Sequence, residues 1–314
     1  MDTSRPVVKQ LDHVVALVDE PRRLFDLLTG TLGLPVAWPL ASYPAFQSGG
    51  VALGNLYLEV MQCGPRRSAD GRGRFCAVAF ESPGIDEAAR ELSRRRLPHT
   101  PVVSYVEQGA DGGKTKIRAN AVLGRMLGKD FLLDLTVALS RLPGATRLSD
   151  AGSGSALDRW QIAKLFERNV VFLCEFYYEN FGVRPFWDEF RDHGEKRAAD
   201  RERLRERGGG ALGVESVKEV VAGVRDFDAA RELWRRLYAP AAERAEGVWE
   251  IEDGPALRLV RAGTDSVQRL VLKVTSPARA ETSLRESGML GAVTDIDIQI
   301  APGSLEGLDV RLVG

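Results

Sequence analysis

One order of secondary structure recurs along this chain: a strand, then a helix, then further strands. The first copy begins with the apolar, β-branched strand Leu11–Val18, passes Pro21 into a helix, and continues with strand-like segments as far as Met61. In the helix of the second copy, Ile85 and Leu92 lie seven residues apart on one apolar face. Such a unit cannot bury its apolar face alone, so the copies are expected to pack against one another.

Two further copies occupy the second half of the chain. The third opens with Val214–Val221 and carries Phe227 and Ala230 on its helix. The fourth opens with Arg269–Thr275 and ends with strands that reach Val313. The sequence therefore predicts an α+β fold in which four βαβββ units form two paired, cup-shaped, mixed β-sheet domains.

The boundaries of these domains follow from two departures from the repeat. We expect an N-terminal unit pair over 8–190 with an insertion at about 100–168, a charged connector over 191–212, and a C-terminal unit pair over 213–314. The connector is densely charged, favours a helix, and is followed by Gly208–Gly210. Because its acids alternate with its bases, we interpret it as a solvated helix plus a hinge rather than a nucleic-acid arm.

Composition excludes several classes of partner. Lys and Arg total 43 and Asp and Glu total 44, which gives no net attraction to nucleic acid or to anionic membranes. The 3 cysteines are too few for a disulfide scaffold or a four-thiolate zinc site. No apolar run approaches the ~20 residues of a membrane span, and no apolar signal region follows Met1. We expect a cytoplasmic protein with a small-molecule ligand, no nucleic-acid or membrane partner, and a homodimer as an open alternative.

The first unit contains residues that carry a family resemblance. Leu11-Asp12-His13-Val14 opens a strand before a helix, Leu32-Gly33-Leu34 follows that helix, and Gly50–Val60 closes the unit. These features resemble the vicinal oxygen chelate superfamily, which includes glyoxalase I, bleomycin-resistance proteins and extradiol dioxygenases. In such proteins two units curl their sheets around a shared cup, where a first-strand His and a last-strand Glu ligate a divalent metal.

The resemblance implies a reduced set of metal ligands in the N-terminal pair. His13 matches the first-strand ligand, and Glu59 and Glu175 match the last-strand ligands of the first and second units. Phe75 stands where the second histidine would be, so that ligand is missing. A mixture of one imidazole and two carboxylates suits Fe, Mn, Zn or Ni. By the same resemblance, Glu59 or Glu175 would leave the metal to act as a catalytic base.

The resemblance implies no metal site in the C-terminal pair. Ser216 and Leu270 occupy the histidine positions of the third and fourth units. Arg258 or Leu259, and Arg311 or its neighbours, occupy the corresponding glutamate positions.

The residues alone do not decide whether the protein binds a metal. A lone histidine on an apolar strand is also compatible with an ordinary buried, hydrogen-bonded side chain, and strand alternation also allows both glutamates to face outward. Two functions therefore remain. One is a metal-dependent lyase, isomerase or dioxygenase acting on a small oxygenated substrate. The other is a metal-free protein of the same fold that binds or sequesters a small molecule.

The aromatic strand near residue 175 predicts a ligand pocket. Phe172, Phe176 and Tyr178, together with Phe75, are expected to line it, and the largest cavity is expected to have this strand as one wall. Nearby Phe181, Phe186 and Trp187 are further candidates, whereas His99 and His193 are interpreted as surface residues.

Overall fold

The computed structural model describes residues 5–43, 46–63, 73–108, 114–139, 165–166, 168–178 and 190–314. Its strands are β1 (Gln10–Leu17), β2 (Val36–Ser42), β3 (Phe46–Ala52), β4 (Tyr57–Cys63), β5 (Arg74–Glu81), β6 (Val103–Gln108), β7 (Lys114–Leu123), β8 (Val170–Phe176), β9 (Val214–Val224), β10 (Val248–Trp249), β11 (Ala256–Arg261), β12 (Ser266–Val274), β13 (Leu290–Val293), β14 (Ile298–Ile300) and β15 (Val310–Val313). Its α-helices are α1 (Pro21–Asp26), α2 (Ile85–Arg94), α3 (Phe131–Leu139), α4 (His193–Glu206), α5 (Phe227–Tyr238) and α6 (Pro277–Glu286). A π-helix (Leu27–Thr31) continues α1, and a 3₁₀-helix spans Pro302–Leu305.

The first half of the chain forms one eight-stranded mixed sheet in the order β2-β3-β4-β1-β5-β8-β7-β6. Within each unit the first strand is parallel to the last, β1 to β4 and β5 to β8. The two units join where β1 runs antiparallel to β5. Strands β6 and β7 lie inside the region predicted to be an insertion, and they are the middle strands of the second unit.

The second half repeats this topology in a seven-stranded sheet, in the order β10-β11-β9-β12-β15-β14-β13. Here β9 is parallel to β11, β12 is parallel to β15, and β9 joins β12 antiparallel. The predicted α+β fold with two paired, curled sheets is confirmed. The third unit has two strands after its helix instead of the expected three, within the described residues.

The apolar faces predicted from helix periodicity supply the core. Ile85 and Leu92 of α2 are buried, as are Phe227 and Trp234 of α5. They belong to one apolar cluster that contains side chains of both sheets. The rings of Phe80 on β5 and Trp234 on α5 lie 5.9 Å apart, so the two halves share this core.

No helix within the described ranges combines the length and apolar character that crossing a membrane requires.

The turn between α4 and β9 is a fixed element rather than a flexible hinge. Gly208, Gly209 and Gly210 all have left-handed backbone conformations, with φ of 59°, 72° and 66°. A Cβ atom on Gly210 would lie 2.1 Å from the carbonyl oxygen of Leu32, which accepts a hydrogen bond from the Ala211 N–H. The turn is therefore packed against the end of the first unit's helical segment, and it fixes the direction in which the chain passes from α4 into β9.

Replacing two of these glycines by alanine, one at a time, separates the cost in stability of a left-handed backbone from the cost of a steric clash. Gly208→Ala should lower the free energy of unfolding by about 1–2 kcal/mol, because the left-handed region disfavours a Cβ atom and nothing else crowds it. Gly210→Ala should cost about 1–3 kcal/mol more, because its Cβ also clashes with Leu32. Urea unfolding measures both values, and equal losses would contradict the packed turn.

Candidate functional site

A β-bulge places two polar side chains next to each other on β1. Leu11 pairs with Phe80 and His13 pairs with Ala79, so Asp12 is an extra residue on β1. A bulge interrupts the alternation of side chains, and Asp12 and His13 consequently share one face of the sheet. We call this face, which lies opposite to α1 and α2, the cup. Both side chains are buried there, with 1% and 6% exposure.

His13 faces Glu59 across the cup. Glu59 lies on β4, next to β1, and its Oε2 is 3.4 Å from Nε2 of His13. Its other oxygen, Oε1, accepts a hydrogen bond of 2.5 Å from the Ser48 hydroxyl. The indole of Trp38 fills the space beside them, because Gly50 carries no Cβ that would strike that ring. The structure thus brings together two of the three predicted metal ligands.

Asp12 is the most heavily bonded carboxylate of the cup. Its Oδ2 lies 2.6 Å from Nδ1 of His13, and its Oδ1 accepts a hydrogen bond of 2.7 Å from Arg197 Nη2 and another from His193 Nε2. Burial alone would raise the pKa of Asp12, but the two imidazoles outweigh it and hold that pKa well below its usual value. Asp12 is therefore ionised inside the protein.

Helix α4 lies in the cup, which corrects its interpretation as a solvated connector. His193, Lys196, Arg197 and Asp200 are buried, and their spacing of three, four and seven residues places them on one helix face. His193 is only 7% exposed and His99 only 6%, so the expectation that these two histidines lie at the surface is wrong. The physical reason is charge: this basic face meets the acids of the cup and is neutralised there.

A second buried ion pair lies further along α4. Lys196 Nζ is 2.5 Å from Asp200 Oδ2, and both side chains are fully buried. Asp200 also accepts a hydrogen bond of 2.8 Å from the Tyr57 hydroxyl, and Arg203 contacts its other oxygen. Burial lowers the pKa of Lys196, although Asp200 opposes the shift. Burial raises the pKa of Tyr57 well above its usual value, so this phenol stays protonated.

The structure does not bring Glu175 into the cup. Its Oε2 accepts hydrogen bonds from the Ile85 N–H at the start of α2, 3.2 Å away, and from the Tyr177 hydroxyl, 2.7 Å away. Phe172 and Cys174 lie three residues and one residue before Glu175 on β8, and they face the cup instead. Strand alternation therefore turns Glu175 toward the helices, and the expected convergence of three side chains is reduced to His13 and Glu59.

Phe75 also lies outside the cup. Val15 pairs with Ala77 and Ala16 pairs with Phe75, so Cys76 is skipped by a second irregularity of the β1–β5 ladder. This shift turns Phe75 into the core shared with Phe80, while Cys76 and Ala77 face the cup. The expectation that Phe75 stands at a missing ligand position is corrected by this change of side-chain direction.

The other predicted pocket residues do line the cup, and there they contact histidines of the chain itself. The Phe172 ring lies 5.5 Å from the His13 ring, and Phe176 stacks on His193 at 4.9 Å. The Tyr178 hydroxyl bonds Nδ1 of His193. Three further candidates, Phe181, Phe186 and Trp187, lie outside the described residues.

An enclosed cavity of about 20 Å³ lies away from this aromatic strand. Its walls are aliphatic side chains from both halves, among them Leu24, Leu58, Leu212, Leu272 and Ile300. A space of this size, without polar walls, offers no groups that would orient an oxygenated substrate. On the aromatic strand, the ring of Phe176 stacks on His193, so α4 occupies this end of the cup.

The donor chemistry of the cup favours one position for a metal. Asp12, Glu81 and His193 approach one another closely, but Arg197 Nη2 already lies 2.7 Å from Asp12 and 3.1 Å from Glu81 and supplies the positive charge. Asp12, His13 and Cys174 form another group. Burial raises the pKa of the Cys174 thiol, so it remains a protonated and weak ligand.

The pair formed by His13 and Glu59 fits a divalent cation better. Adjacent ligands at bond lengths of about 2.0–2.2 Å are roughly 3 Å apart, close to the 3.4 Å between Nε2 and Oε2. Within the described ranges no third His, Cys, Asp or Glu side chain completes this pair. The pair would supply two of the ligands of a metal centre.

The α4 residues of the site were missed because their pattern is polar. The spacing of His193, Lys196, Arg197 and Asp200 would have marked a buried helix face had these residues been apolar. Asp12 carried a weaker signal, as a carboxylate placed directly before the predicted ligand.

Comparison with solved structures confirms the predicted fold. The chain aligns over 96% of its length with 98% of a hypothetical protein from Staphylococcus aureus, at a TM-score of 0.52 and 10% identity. It aligns over 100% of its length with 82% of homoprotocatechuate 2,3-dioxygenase from Brevibacterium fuscum in complex with 3,4-dihydroxyphenylacetate. The TM-score of that alignment is 0.52 and the sequence identity is 9%. A Mn(II)-bound glyoxalase from Novosphingobium aromaticivorans aligns with a TM-score of 0.50 and 7% sequence identity, and the alignment covers 97% of this chain and 81% of that chain.

These likenesses show the fold, which this chain shares with a dioxygenase and a glyoxalase. No family model matches the sequence. No curated protein matches it either.

The buried ion pair of α4 can be tested by removing one partner at a time. Asp200→Asn should lower the free energy of unfolding by about 3 kcal/mol, because Lys196 loses the charge that it contacts inside the protein. Lys196→Met should cost less, about 1–2 kcal/mol, because Asp200 keeps Tyr57 and Arg203. Denaturant titration of both variants gives the order, and a greater loss for Lys196→Met would contradict this account.

Proposed function

We propose that this chain is a glyoxalase-like, metal-dependent enzyme that acts on a small organic molecule with two neighbouring oxygens. The N-terminal cup would hold a divalent cation through His13 and Glu59. The observation that carries the proposal is the approach of a buried imidazole nitrogen to a buried carboxylate oxygen, 3.4 Å apart. A carboxylate in an apolar cup is costly unless it is paired or binds a metal.

The neighbours of similar fold support the same chemistry. One of them is a Mn(II)-bound glyoxalase, and another is a dioxygenase with a bound dihydroxyphenyl substrate. Imidazole and carboxylate together suit Fe, Mn, Zn or Ni. A bound cation would polarise the substrate oxygens and stabilise negative charge that develops on them.

The side chains around this pair have separate roles in the proposal. Glu59 would leave the metal to take a proton from the substrate, while Ser48 holds its other oxygen. Phe172 and Trp38 contact His13 and present apolar surface to the substrate. Glu175 has no direct role, because it faces the helices.

A specific observation favours a second function, metal-free binding of a small molecule. Arg197 lies between Asp12 and Glu81 and supplies a positive charge within the cup. Two nitrogens of this guanidinium, Nε and Nη1, are buried and lack hydrogen-bond partners among the described residues. Such a group could receive oxygens of a ligand without any metal.

Metal content separates the two functions. His13→Ala and Glu59→Gln should each reduce bound metal to about a tenth or less, because ligand loss costs at least as much affinity as loss of a supporting group. Activity on a panel of 1,2-diols and α-hydroxy carbonyl compounds should fall with it. Metal is measured by mass spectrometry of protein loaded with Fe, Mn, Zn or Ni in turn.

Glu175→Gln is the matched control. It removes the same charge from β8, on the opposite face of the same sheet, and it should leave metal content unchanged. If no variant and no loading condition gives stoichiometric metal, while small-molecule binding persists, the metal-free function is correct. If Glu175→Gln loses metal as Glu59→Gln does, the assignment of ligands is wrong.

A further inference from the structure

The structure assigns to Asp12 the role of a positioning residue: its single carboxylate fixes opposite tautomers on two histidines and so joins the docking of α4 to the orientation of His13. The consequence for metal binding rests on the proposed function. The hydrogen-bond arrangement itself does not.

The first half of the arrangement is the bond to His13. An ionised carboxylate can only accept, so the proton between Asp12 Oδ2 and His13 Nδ1, which are 2.6 Å apart, belongs to the imidazole. A neutral His13 with its proton on Nδ1 has a lone pair on Nε2. That lone pair faces Glu59 Oε2, which is where a cation would be held.

The second half is the bond to His193, whose orientation is reversed. Here the ring contacts Asp12 through Nε2, so the proton belongs on Nε2. Its Nδ1 then accepts a hydrogen bond from the Tyr178 hydroxyl. Since His193 opens α4, the carboxylate that orients His13 also holds the first turn of this helix in the cup.

Arg197 decides what an amide in place of Asp12 would do. Its Nη2 donates to the same Asp12 oxygen that faces His193, 2.7 Å away. Arginine can only donate, so an asparagine at position 12 must present its amide oxygen to Arg197 and His193 and its NH₂ group to His13. His13 must then accept through Nδ1 and move its proton to Nε2. Asp12→Asn is therefore expected to reverse the tautomer of His13 and leave that of His193 unchanged.

The chain is well suited to a direct measurement, because it contains only 3 histidines. Protein labelled with ¹⁵N-histidine and studied by NMR reports which nitrogens of each ring carry a proton. His99 is an internal reference, because its Nδ1 faces the Thr100 carbonyl oxygen at 2.7 Å and must carry the proton.

In the unmodified protein we expect His13 and His99 with the proton on Nδ1 and His193 with the proton on Nε2. In Asp12→Asn the signals of His13 should change to those of the Nε2 tautomer. A His13 that has no proton on Nδ1 before any substitution overturns the inference, and this result needs no variant to fold. A His13 whose signals do not respond to Asp12→Asn overturns it as well.

Glu81→Gln is the matched control variant. Glu81 Oε2 contacts Arg197 from the other side, 3.1 Å away, without touching His13. This substitution should leave the His13 tautomer unchanged, whereas a change equal to that of Asp12→Asn would show a general loosening of the cup and overturn the specific role of Asp12.

Metal titration distinguishes this inference from the proposed function. Asp12→Asn should weaken Mn²⁺ binding about 10–100-fold, the usual effect of removing a group that orients a ligand, and calorimetry measures it. If the tautomer changes as expected while neither protein binds Mn²⁺, Fe²⁺, Zn²⁺ or Ni²⁺, the positioning role stands and the proposed metal function fails. If metal binds equally well to both proteins, the link between Asp12 and the metal is wrong.

Discussion

The Asp12 carboxylate is almost wholly excluded from water, and much of the first half of the chain is arranged around its charge. Burying an ionised carboxylate costs several kcal/mol unless opposite charges and hydrogen-bond donors surround it. His13 supplies one donor from β1, but the other two, His193 and Arg197, are on α4. The helix therefore has to lie in the cup, and the packed glycine turn at Gly208–Gly210 connects it in that position to the second sheet.

The parts of the fold that depend on apolar burial could be predicted from the sequence. The apolar runs of β1, β4, β5 and β9 and the faces of α2 and α5 show up as patterns in neighbouring residues. The order of these elements was enough to predict two paired sheets. The same order placed His13 on a first strand and Glu59 on a last strand, and parallel pairing of β1 with β4 then brings the two side chains together.

The parts that depend on single-residue register could not be predicted. Two irregularities in the β1–β5 ladder, at Asp12 and at Cys76, each change which face the following side chains occupy. Neither leaves a mark in composition or periodicity. Phe75 was therefore aligned with a cup position that it does not occupy. On β8, Cys174 faces the cup, one residue before the predicted ligand Glu175.

Helix α4 was misjudged for a different reason. A helix with interleaved acids and bases normally faces water, because burying its charges without partners is prohibitive. Here the partners exist, but Asp12 precedes Arg197 by 185 residues. No local pattern reports a match between such distant segments, so a charged face and a buried face look alike in the sequence.

The two sheets show why burial, rather than the presence of charge, distinguishes the candidate site. On the second sheet Arg258 and Glu219 form an ion pair whose side chains are 41% and 17% exposed. Exposed pairs of this kind contribute about 0–1 kcal/mol, since water competes for both partners. Lys196 and Asp200 in the cup of the first sheet are both 0% exposed, and each polar group there needs a defined partner. The first cup therefore holds its imidazoles and carboxylates in fixed orientations, which is the condition for binding a cation or moving a proton. On the second sheet, water competes with the ion pair of Arg258 and Glu219 and leaves these side chains free to reorient.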